Sequence, residues 1–390
     1  MEKDLIEKVK SILPEIIKNR RKIHSNPELS FKEFETAKFI RKNLDELNIP
    51  YTIHSNTGTA AIIGNGDKCV ALRADIDALP IHEDTELEYR SKNDGVMHAC
   101  GHDMHTSMLL GAAKILKEME KDIPGKIKLI FQPGEEKLPG GAKLMIEDGV
   151  LEDPAPEAIF GQHIFPEENI GTVSINEGPV MGSPDELYVT IKGKSTHAAQ
   201  PHLGADPIVC ASNLINLYQT FISRSKDPIE SGVVTIAAIN GGYATNIIPD
   251  EVKLMGTIRS YDKDWRQKVH KLIKEKSIEL GKAYSCEVEV EIIEGYPAVV
   301  NDPALTQIAK EASIKLIGKG KTRLFEPKMW GEDFAFYGEK IPACFWFVGV
   351  KDPQFETMPA LHNSKIAPHE DGLIYGTSML VGAALEYLSS

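Results

Sequence analysis

The sequence of 390 residues lacks several features that mark whole classes of protein. No apolar run approaches the ~18 residues that a membrane-spanning helix needs. The charged N-terminal segment has neither the apolar core nor the small-residue cleavage site of a signal peptide. Basic side chains are outnumbered, because 44 Lys and Arg stand against 57 Asp and Glu. The resulting net charge of −13 argues against a nucleic-acid partner or an anionic membrane surface.

Cysteine is also scarce. The five cysteines are odd in number and widely spaced: Cys69, Cys100, Cys210, Cys286 and Cys344. This pattern fits a reduced, cytoplasmic chain better than a disulfide framework. Four of them lie in apolar strand-like or helical surroundings that are typical of buried thiols, and Cys100 is the exception.

The length and the spacing of apolar residues predict two domains. The chain is 42% apolar and 26% charged, and it is too long for one ordinary core. Before residue 178 the apolar runs TAAIIG, CVALRA, KIKLIFQ and EAIFGQH alternate with helical stretches such as residues 105–120. Short continuous apolar runs are typical of strands buried on both faces. We therefore expect an α/β fold with a mostly parallel sheet in this part.

From about residue 184 the pattern changes to alternating strands and amphipathic helices. Their order is β-α-β-β-α-β, which is the ferredoxin-like α+β arrangement. The first of these helices has Asp206 as its expected N-cap and Pro207 in its first turn. The α/β pattern then resumes with a helix, the apolar strand ACFWFVGV and a last helix. The sequence thus predicts a discontinuous domain, 1–180 and 293–390, that carries an inserted domain at 181–292.

The segment MHACGHDMH, residues 97–105, places three histidines, a cysteine and an aspartate within nine positions. The cluster could arise by chance, or it could belong to a histidine-rich surface loop without a function. Neutral imidazole and thiolate are, however, the ligands that borderline-soft cations such as Zn²⁺ prefer. The segment is therefore a candidate metal site.

Other side chains of metal-binding type follow predicted strands. They are Asp75 and Asp77, Glu135 and Glu136, His163 at the expected end of its strand, and His362. Each alone could be a turn residue, a helix cap, a solvated glutamate pair or a structural histidine. Ligands of open α/β sheets gather beyond the carboxyl ends of the strands. Because five separate segments bring such residues to that edge, we expect one common site.

The adjacent carboxylates of Glu135 and Glu136 have a specific use. Neighbouring carboxylates do not easily hold one ion together, so one can bind metal while the other acts as general base. A single ion needs only three protein ligands and a water. The candidate ligands number five, which suits two ions that share a bridging group. These candidates are Cys100, His102, Glu136, His163 and His362.

With these residues in view, the sequence resembles the di-metal amidohydrolases and aminoacylases. That family includes hippurate hydrolases, N-acyl-amino-acid deacylases, N-acetyldiaminopimelate deacetylases and auxin-conjugate hydrolases. The similarity covers nearly the whole chain, through RRKIHSNPELSFKEFET, ALRADIDALPI, MHACGHDMHTSMLLGAA, LIFQPGEE, GGAKLMIEDGV, GKSTHAAQPHLGADP, TNIIPDEVKLMGTIR and LHNSKI. It implies a zinc-exopeptidase-like catalytic domain. It also implies that the inserted domain acts as a lid and can form a homodimer.

The resemblance further implies roles for residues at matching positions. The five candidates match the family's metal ligands, and Glu135 matches its catalytic base. His197 matches a lid histidine that donates to the tetrahedral oxyanion. Asn246 and Arg259 match positions that bind the polar end and the carboxylate of the substrate. The guanidinium fork of Arg259 suits a bidentate carboxylate contact.

Two positions depart from the wider pattern. Arg73 stands where the wider superfamily has a histidine ligand, and the Cys-Gly-His segment replaces that ligand in this branch. Asp75 is therefore expected to orient the centre without binding metal. Gln162 stands where many relatives have leucine.

The expected function is metal-dependent hydrolysis of N-acyl-L-amino acids to a carboxylate and a free amino acid, with two divalent ions (Zn, Mn or Co) per subunit. Metal lowers the pKa of water, Glu135 takes the proton and later protonates the leaving nitrogen, and His197 helps to hold the oxyanion. A dipeptidase or carboxypeptidase on the same centre differs only in its acyl pocket. A non-catalytic metal-binding protein is the alternative of another class, and the presence of Glu135 argues against it.

Overall fold

The computed structural model describes residues 2–390, with side chains described from Asp4 onward. The chain divides into two compact units. Unit 1 comprises Met1–Val180, Val300–Pro327 and Asp333–Ser390, and unit 2 comprises Met181–Val299 and Lys328–Glu332. Within residues 2–390 we find no helix that is both long and apolar enough to cross a membrane.

Nine α-helices lie within residues 2–390. They are α1 Glu2–His24, α2 Phe34–Glu46, α3 His102–Glu118, α4 Gly141–Glu147, α5 Pro207–Ser225, α6 Lys263–Ala283, α7 Pro303–Ile317, α8 Ala335–Gly338 and α9 Gly372–Ser389. Apolar residues at helical spacing put Leu5 and Val9 of α1 in the core. Asp206 is the N-cap of α5, as predicted, and its carboxylate accepts hydrogen bonds from the N–H groups of Ile208 and Val209.

Sixteen β-strands lie within the same residues. They are β1 Tyr51–His54, β2 Gly58–Gly64, β3 Cys69–Asp75, β4 Lys126–Gln132, β5 Ala158–Asn169, β6 Val173–Ile175, β7 Gly178–Met181, β8 Ser183–Lys192, β9 Thr196–His197, β10 Gly232–Asn240, β11 Ile247–Ile248, β12 Glu251–Ser260, β13 Glu287–Ile293, β14 Val299–Asn301, β15 Thr322–Leu324 and β16 Ala343–Lys351. Unit 1 has an eight-stranded sheet in the order β1-β2-β4-β3-β5-β16-β6-β15.

Four of the five predicted apolar runs form the middle of this sheet. CVALRA, KIKLIFQ, EAIFGQH and ACFWFVGV give β3, β4, β5 and β16, and β3 is parallel to both β4 and β5. β5 and β16 are also parallel, whereas β1, β2 and β6 contribute antiparallel pairs. The inner strands pack with α1, α3, α7 and α9 in one apolar cluster. The sheet is therefore mixed and mostly parallel, as the α/β prediction requires.

The prediction that His163 ends its strand is wrong. β5 continues to Asn169, so His163 lies in the middle of the strand. β3 pairs with β5 only as far as Arg73 and Gly161, whereas β16 stays paired with β5 as far as Asn169. His163 therefore lies just beyond the point where β3 leaves its neighbour, and it still reaches the edge at which β3 ends.

Unit 2 has its own antiparallel sheet in the order β10-β12-β8-β13. Helix α5 follows β8 and helix α6 follows β12, so the four strands and two helices have the predicted β-α-β-β-α-β order. The short strands β9 and β11 pair with each other beside this core. Alternate side chains of β8 are buried with those of α5 and α6 in one apolar cluster.

Candidate metal centre

The five predicted metal ligands lie in unit 1, at the edge of the sheet where β3 and β4 end. Asp75 closes β3 opposite Gln132, which closes β4, so the two chains leave the sheet side by side. Helix α3 begins at His102, directly after Gly101. Gly101 has a φ of 84°, in the left-handed region that favours glycine, and this turns the chain from Cys100 into the helix.

The structure brings the ligand atoms of all five residues close together. Cys100 Sγ lies 3.3 Å from His163 Nε2 and 3.2 Å from His362 Nε2. Glu136 Oε1 lies 3.2 Å from the same nitrogen of His362 and 3.9 Å from His102 Nε2. The atoms of Cys100, His102 and His163 lie within 4.8 Å of one another, and so do those of Cys100, Glu136 and His362. Two groups of three ligands therefore share the thiol of Cys100.

Hydrogen bonds fix the orientation of two of the imidazoles. His102 Nδ1 lies 3.0 Å from the carbonyl oxygen of Asp77 and 3.2 Å from its carboxylate. His163 Nδ1 lies 2.7 Å from the carbonyl oxygen of Ile164. Because a carbonyl only accepts, each Nδ1 carries the proton, and in the neutral ring Nε2 keeps its lone pair. The Nε2 lone pairs of both rings point to the shared thiol or its neighbours. Both rings therefore have the tautomer that a metal ligand needs.

The charges around these atoms fit a bound cation. His102 Nε2 and Glu136 Oε1 are buried and have no hydrogen-bond partner among the residues that the structure describes. Burial and the nearby carboxylates, Glu136 first, raise the pKa of the Cys100 thiol well above its usual range. Burial lowers the pKa of His102, but carboxylates, Asp75 first, outweigh it and raise that pKa to about 10. The pocket thus attracts positive charge, and its nitrogen, sulfur and oxygen donors suit a divalent transition metal.

Glu135 lies beside this group of ligands and is 7% exposed. A carboxylate oxygen of Glu135 lies within 4.8 Å of ligand atoms of His102 and Glu136. The backbone N–H of Glu136 donates to Asp77 Oδ2 at 3.0 Å, which fixes the end of the turn that carries both glutamates. The two neighbouring side chains are therefore both held at the centre, as the division between ligand and base requires.

Asp75 is held by hydrogen bonds from other side chains. Its Oδ2 accepts from Arg73 Nη1 at 2.8 Å, and its Oδ1 lies 2.6 Å from His105 Nδ1. Burial opposes ionisation, yet His102, His105 and Arg73 hold the pKa of Asp75 well below its usual range. Asp75 Oδ2 also lies 3.7 Å from His102 Nε2. The carboxylate is thus already engaged on both oxygens, in keeping with the prediction that it orients the centre.

His105, for which the sequence predicts no role, links three parts of the centre. Its Nε2 accepts the backbone N–H of Ile164 at 3.0 Å, while its Nδ1 faces Asp75. His105 thereby connects β3, α3 and the backbone next to His163. Its spacing of three from His102, on one face of a helix, was the signal that could have revealed it.

Arg73 is fully buried and belongs to the same network. Its guanidinium donates to Gln132 Oε1, Asp75 Oδ2 and Asp333 Oδ1, each at 2.8 Å. Two carboxylates therefore accompany the buried charge, which would otherwise be costly. Gln162, the other departure from the family pattern, accepts a hydrogen bond from Trp346 Nε1 at 3.0 Å.

Two of the predicted substrate residues are neighbours in unit 2. His197 of β9 pairs with Ile247 of β11, and the N–H of Ala198 donates to the carbonyl oxygen of Asn246 at 3.0 Å. His197 Nδ1 accepts the N–H of Ala199 at 3.1 Å. In the neutral ring the proton is therefore on Nε2, where it can be donated. This is the tautomer that the predicted role of His197 requires.

Arg259, the third predicted substrate residue in unit 2, lies on β12 between Val233 of β10 and Pro184 of β8. It is half-buried. Burial lowers the pKa of its guanidinium, an effect that the carboxylates of Asp185 and Glu186 oppose. Among residues 4–390 the guanidinium has no hydrogen-bond acceptor, so its donors remain available for a ligand.

The family model described as "Peptidase family M20/M25/M40" matches residues 71–386. The chain belongs to this family, and it is a hydrolase with a metal-binding centre.

Two curated relatives are similar over most of their length. The chain is 44% identical over 341 residues to the N-acetyl-L-cysteine deacetylase of Bacillus subtilis (strain 168), covering 86% of this chain and 80% of the relative. It is 41% identical over 375 residues to the IAA-amino acid hydrolase ILR1-like 4 of Arabidopsis thaliana, covering 95% and 84%.

A solved structure is also similar over nearly its whole length. The YXEP protein of Bacillus subtilis, described as a dinuclear metal binding peptidase from the M20 family, is 35% identical to this chain with a TM-score of 0.85. The match covers 97% of this chain and 99% of that one.

Proposed function

We propose that this protein hydrolyses the amide bond of N-acyl-L-amino acids to give a carboxylate and a free amino acid. The observation that carries the proposal is the convergence of five metal-binding side chains on one edge of the sheet with Glu135 beside them. Two relatives named for N-acetyl-L-cysteine and for amino acid conjugates of IAA support this choice of substrate class.

The centre would hold two divalent ions, Zn, Mn or Co. One group of ligands is Cys100, His102 and His163, and the other is Cys100, Glu136 and His362. The shared position of the Cys100 thiol and the dinuclear metal of the similar YXEP protein support two ions. Bound divalent ions supply Lewis-acid polarisation of the amide carbonyl and a lowered pKa for water.

In unit 1 Glu135 moves the proton. Its carboxylate takes a proton from the attacking water and delivers it to the amide nitrogen as the amino acid leaves. The hydrogen bond from the Glu136 N–H to Asp77 holds the turn that carries both glutamates, which supports separate roles for them. Asp75 and His105 act by orienting the backbone and ligands around the reaction.

In unit 2 we assign three residues to the substrate. His197 would donate from Nε2 to the oxyanion that develops on the carbonyl oxygen. Arg259 would bind the carboxylate of the amino acid, and Asn246, beside His197, its polar end. We also assign dimer formation to the inserted domain and a cytoplasmic location to the chain, which has five free, buried thiols in the described residues.

The test is a substrate panel with metal analysis. N-acetyl, N-benzoyl and dipeptide derivatives of the same amino acids would be assayed side by side. The proposal expects turnover of the N-acyl amino acids, loss of turnover on chelation, and recovery with Zn²⁺, Mn²⁺ or Co²⁺. Active enzyme without stoichiometric transition metal would contradict it.

The same panel decides on the second candidate, a dipeptidase or carboxypeptidase. The description of the YXEP protein as a peptidase favours it. Its chemistry at the centre is identical, so only the occupant of the acyl pocket differs. Preference for dipeptides over both acetyl and benzoyl substrates would establish the peptidase.

A further inference from the structure

Besides Asp77, another buried carboxylate, that of Glu33, approaches the turn that carries Glu135 and Glu136. Glu33, just before α2, is 0% exposed. Its Oε1 accepts the N–H of Gly134 at 2.9 Å and the N–H of Phe31 at 2.7 Å. Its Oε2 accepts the hydroxyl of Thr57 at 2.9 Å. One carboxylate of the N-terminal segment therefore holds the residue that immediately precedes Glu135.

The ring of Phe31 closes over the same point of the turn. A Cβ placed on Gly134 would lie 2.2 Å from Phe31 Cε1, so only glycine fits beneath the ring. Gly134 has a φ of 61° and Phe31 a φ of 65°, both in the left-handed region. For phenylalanine this region is strained, and such strain persists only where the surroundings enforce it. The contact thus fixes the start of the turn tightly.

The other end of the turn is fixed through the same N-terminal segment. Ser30 donates to Asp77 Oδ2 at 2.7 Å, and the same oxygen accepts the N–H of Glu136 at 3.0 Å. Gly134 and Glu136 are thus held by two different carboxylates, one on each side of Glu135. The side chain of Glu135 leaves the backbone between these two anchors.

We propose that Glu33 is a positioning residue that sets the place of the Glu135 carboxylate through the Gly134 N–H. This inference rests on the proposed function, since it deepens the role of Glu135 as the base. A proton transfer depends steeply on the placement of the base, and a shift of about 1 Å can cost ~10²-fold in rate. Glu33 fixes the backbone of that base.

The nearby Glu28 provides a matched control. It belongs to the same N-terminal segment and accepts the N–H groups of Glu35 and Thr36 and the Thr36 hydroxyl, at 2.8–3.2 Å. These bonds stabilise the start of α2 and do not reach the turn. Removing Glu28 therefore takes away as many hydrogen bonds as removing Glu33 does, without releasing Gly134.

The experiment compares Glu33→Ala, Glu33→Gln and Glu28→Ala in the full-length, metal-loaded enzyme, on the N-acyl amino acid that wild type turns over fastest. Glu33→Ala should lower kcat at least ~10-fold with KM within about 2-fold. Glu33→Gln should retain kcat within about 3-fold, because its amide oxygen can accept the same two N–H groups. Glu28→Ala should leave kcat within about 2-fold although it also lowers the melting temperature.

Two further measurements tie the effect to Glu135. Bound metal per subunit should be unchanged in Glu33→Ala, whereas amide hydrogen exchange at residues 134–136 should rise in that variant and not in Glu28→Ala. In a Glu135→Gln background Glu33→Ala should cause no further loss, since residues acting through one group are not additive.

Three results would overturn the inference: equal losses of kcat in Glu33→Ala and Glu28→Ala, full additivity with Glu135→Gln, or loss of metal from Glu33→Ala. These outcomes differ from a failure of the proposed function, which would appear as an inactive wild type or as full activity of Glu135→Gln alone.

Discussion

Cys100 and His163 meet through the two atoms that are chemically suited to bind a metal, with Sγ 3.3 Å from Nε2. The thiol is buried, and carboxylates surround it. Its burial, together with these carboxylates, raises the pKa of the thiol well above its usual range. Ligation requires the thiolate, so a cation bound here must displace the proton of Cys100. Metal binding at this centre should therefore depend on Cys100.

The first prediction concerns this thiol. Cys100→Ser should weaken metal binding, because a hydroxyl is a much poorer anionic ligand than a thiolate near neutral pH. Metal content after dialysis against a mild chelator, measured by elemental analysis, checks it. Cys69→Ser is the control, since Cys69 is also buried but starts β3 at the far end from Asp75. Equal metal content in both variants and wild type would show that Cys100 is not a ligand.

Glu135→Gln should lower kcat at least ~10²-fold, because the amide keeps the size of the side chain but cannot accept the proton. Metal content should stay near that of wild type. Steady-state kinetics together with elemental analysis separate the two roles of the glutamate pair. Retained turnover would mean that another group is the base, and lost metal would mean that Glu135 is a ligand.

His197→Ala should cost ~10²–10³ in kcat, the usual effect of removing a single donor to a developing oxyanion. The amide carbonyl is neutral in the ground state, so this loss should appear in kcat more than in KM. Metal occupancy should not change, because His197 lies in unit 2 and the five ligands lie in unit 1. His202→Ala is the control in the same exposed segment, and it should be neutral. An undiminished kcat in His197→Ala would remove this donor from the mechanism.

Arg259→Ala should act mainly on KM, because the carboxylate it would bind is charged throughout the reaction. Wild type should strongly prefer an N-acyl amino acid to its carboxamide analogue, and the variant should lose most of that preference. Kinetics of both proteins on both compounds test this. If wild type hydrolyses the acid and the carboxamide with equal kcat/KM, Arg259 does not bind the substrate carboxylate.

The buried carboxyl of Glu33 should make stability depend on pH. Burial, reinforced by the Asp77 carboxylate, raises the pKa of Glu33 to about 7 from its ordinary 4.5. A raised folded-state pKa gives stability that is fully present below pH 4.5 and is lost as pH rises through 7. The loss is on the order of 3 kcal/mol.

Glu33→Gln cannot ionise and should lack this loss. Melting temperatures of wild type and Glu33→Gln between pH 4.5 and 8 check the effect. The melting temperature of Glu33→Gln, relative to that of wild type, should increase as pH rises and level off above about pH 7. A difference that is constant over this range would place the pKa of Glu33 at its ordinary value.

Much of the fold could be predicted because its inner strands are continuous apolar runs. In CVALRA and ACFWFVGV apolar residues do not alternate with polar ones. Such a continuous apolar run is typical of a strand that is covered on both faces. The C-terminal end of β5 was harder to predict. Its second half, IFPEEN, extends past its partner β3 and depends on pairing with β16, which is distant in sequence. A local pattern carries no information on such a partner.

The candidate site could be predicted only in part, for a similar reason. Residues of metal-binding type stand out in the sequence, so the five ligands and the glutamate pair were found, and the structure brings them together. His105 and Glu33 were missed as contributors because they act on backbone N–H groups of Ile164 and Gly134. Such contacts form only on folding, and the helical spacing of His105 from His102 is the one sequence signal that pointed to either residue. The metal-binding and catalytic roles of the named residues remain predictions.

The buried ion pairs of Arg73 also restrict which residues this position of β3 can hold. Arg73 donates to Asp333, which lies in a distant segment of the chain, and to Gln132 at the end of β4. By the resemblance noted above, the wider superfamily carries a histidine where Arg73 stands. A mutation of Arg73 back to histidine would remove the guanidinium that now faces two buried carboxylates. Asp75 and Asp333 would then stay buried without the guanidinium that now donates to both, so the charge of Arg73 and these two carboxylates depend on one another in the folded protein.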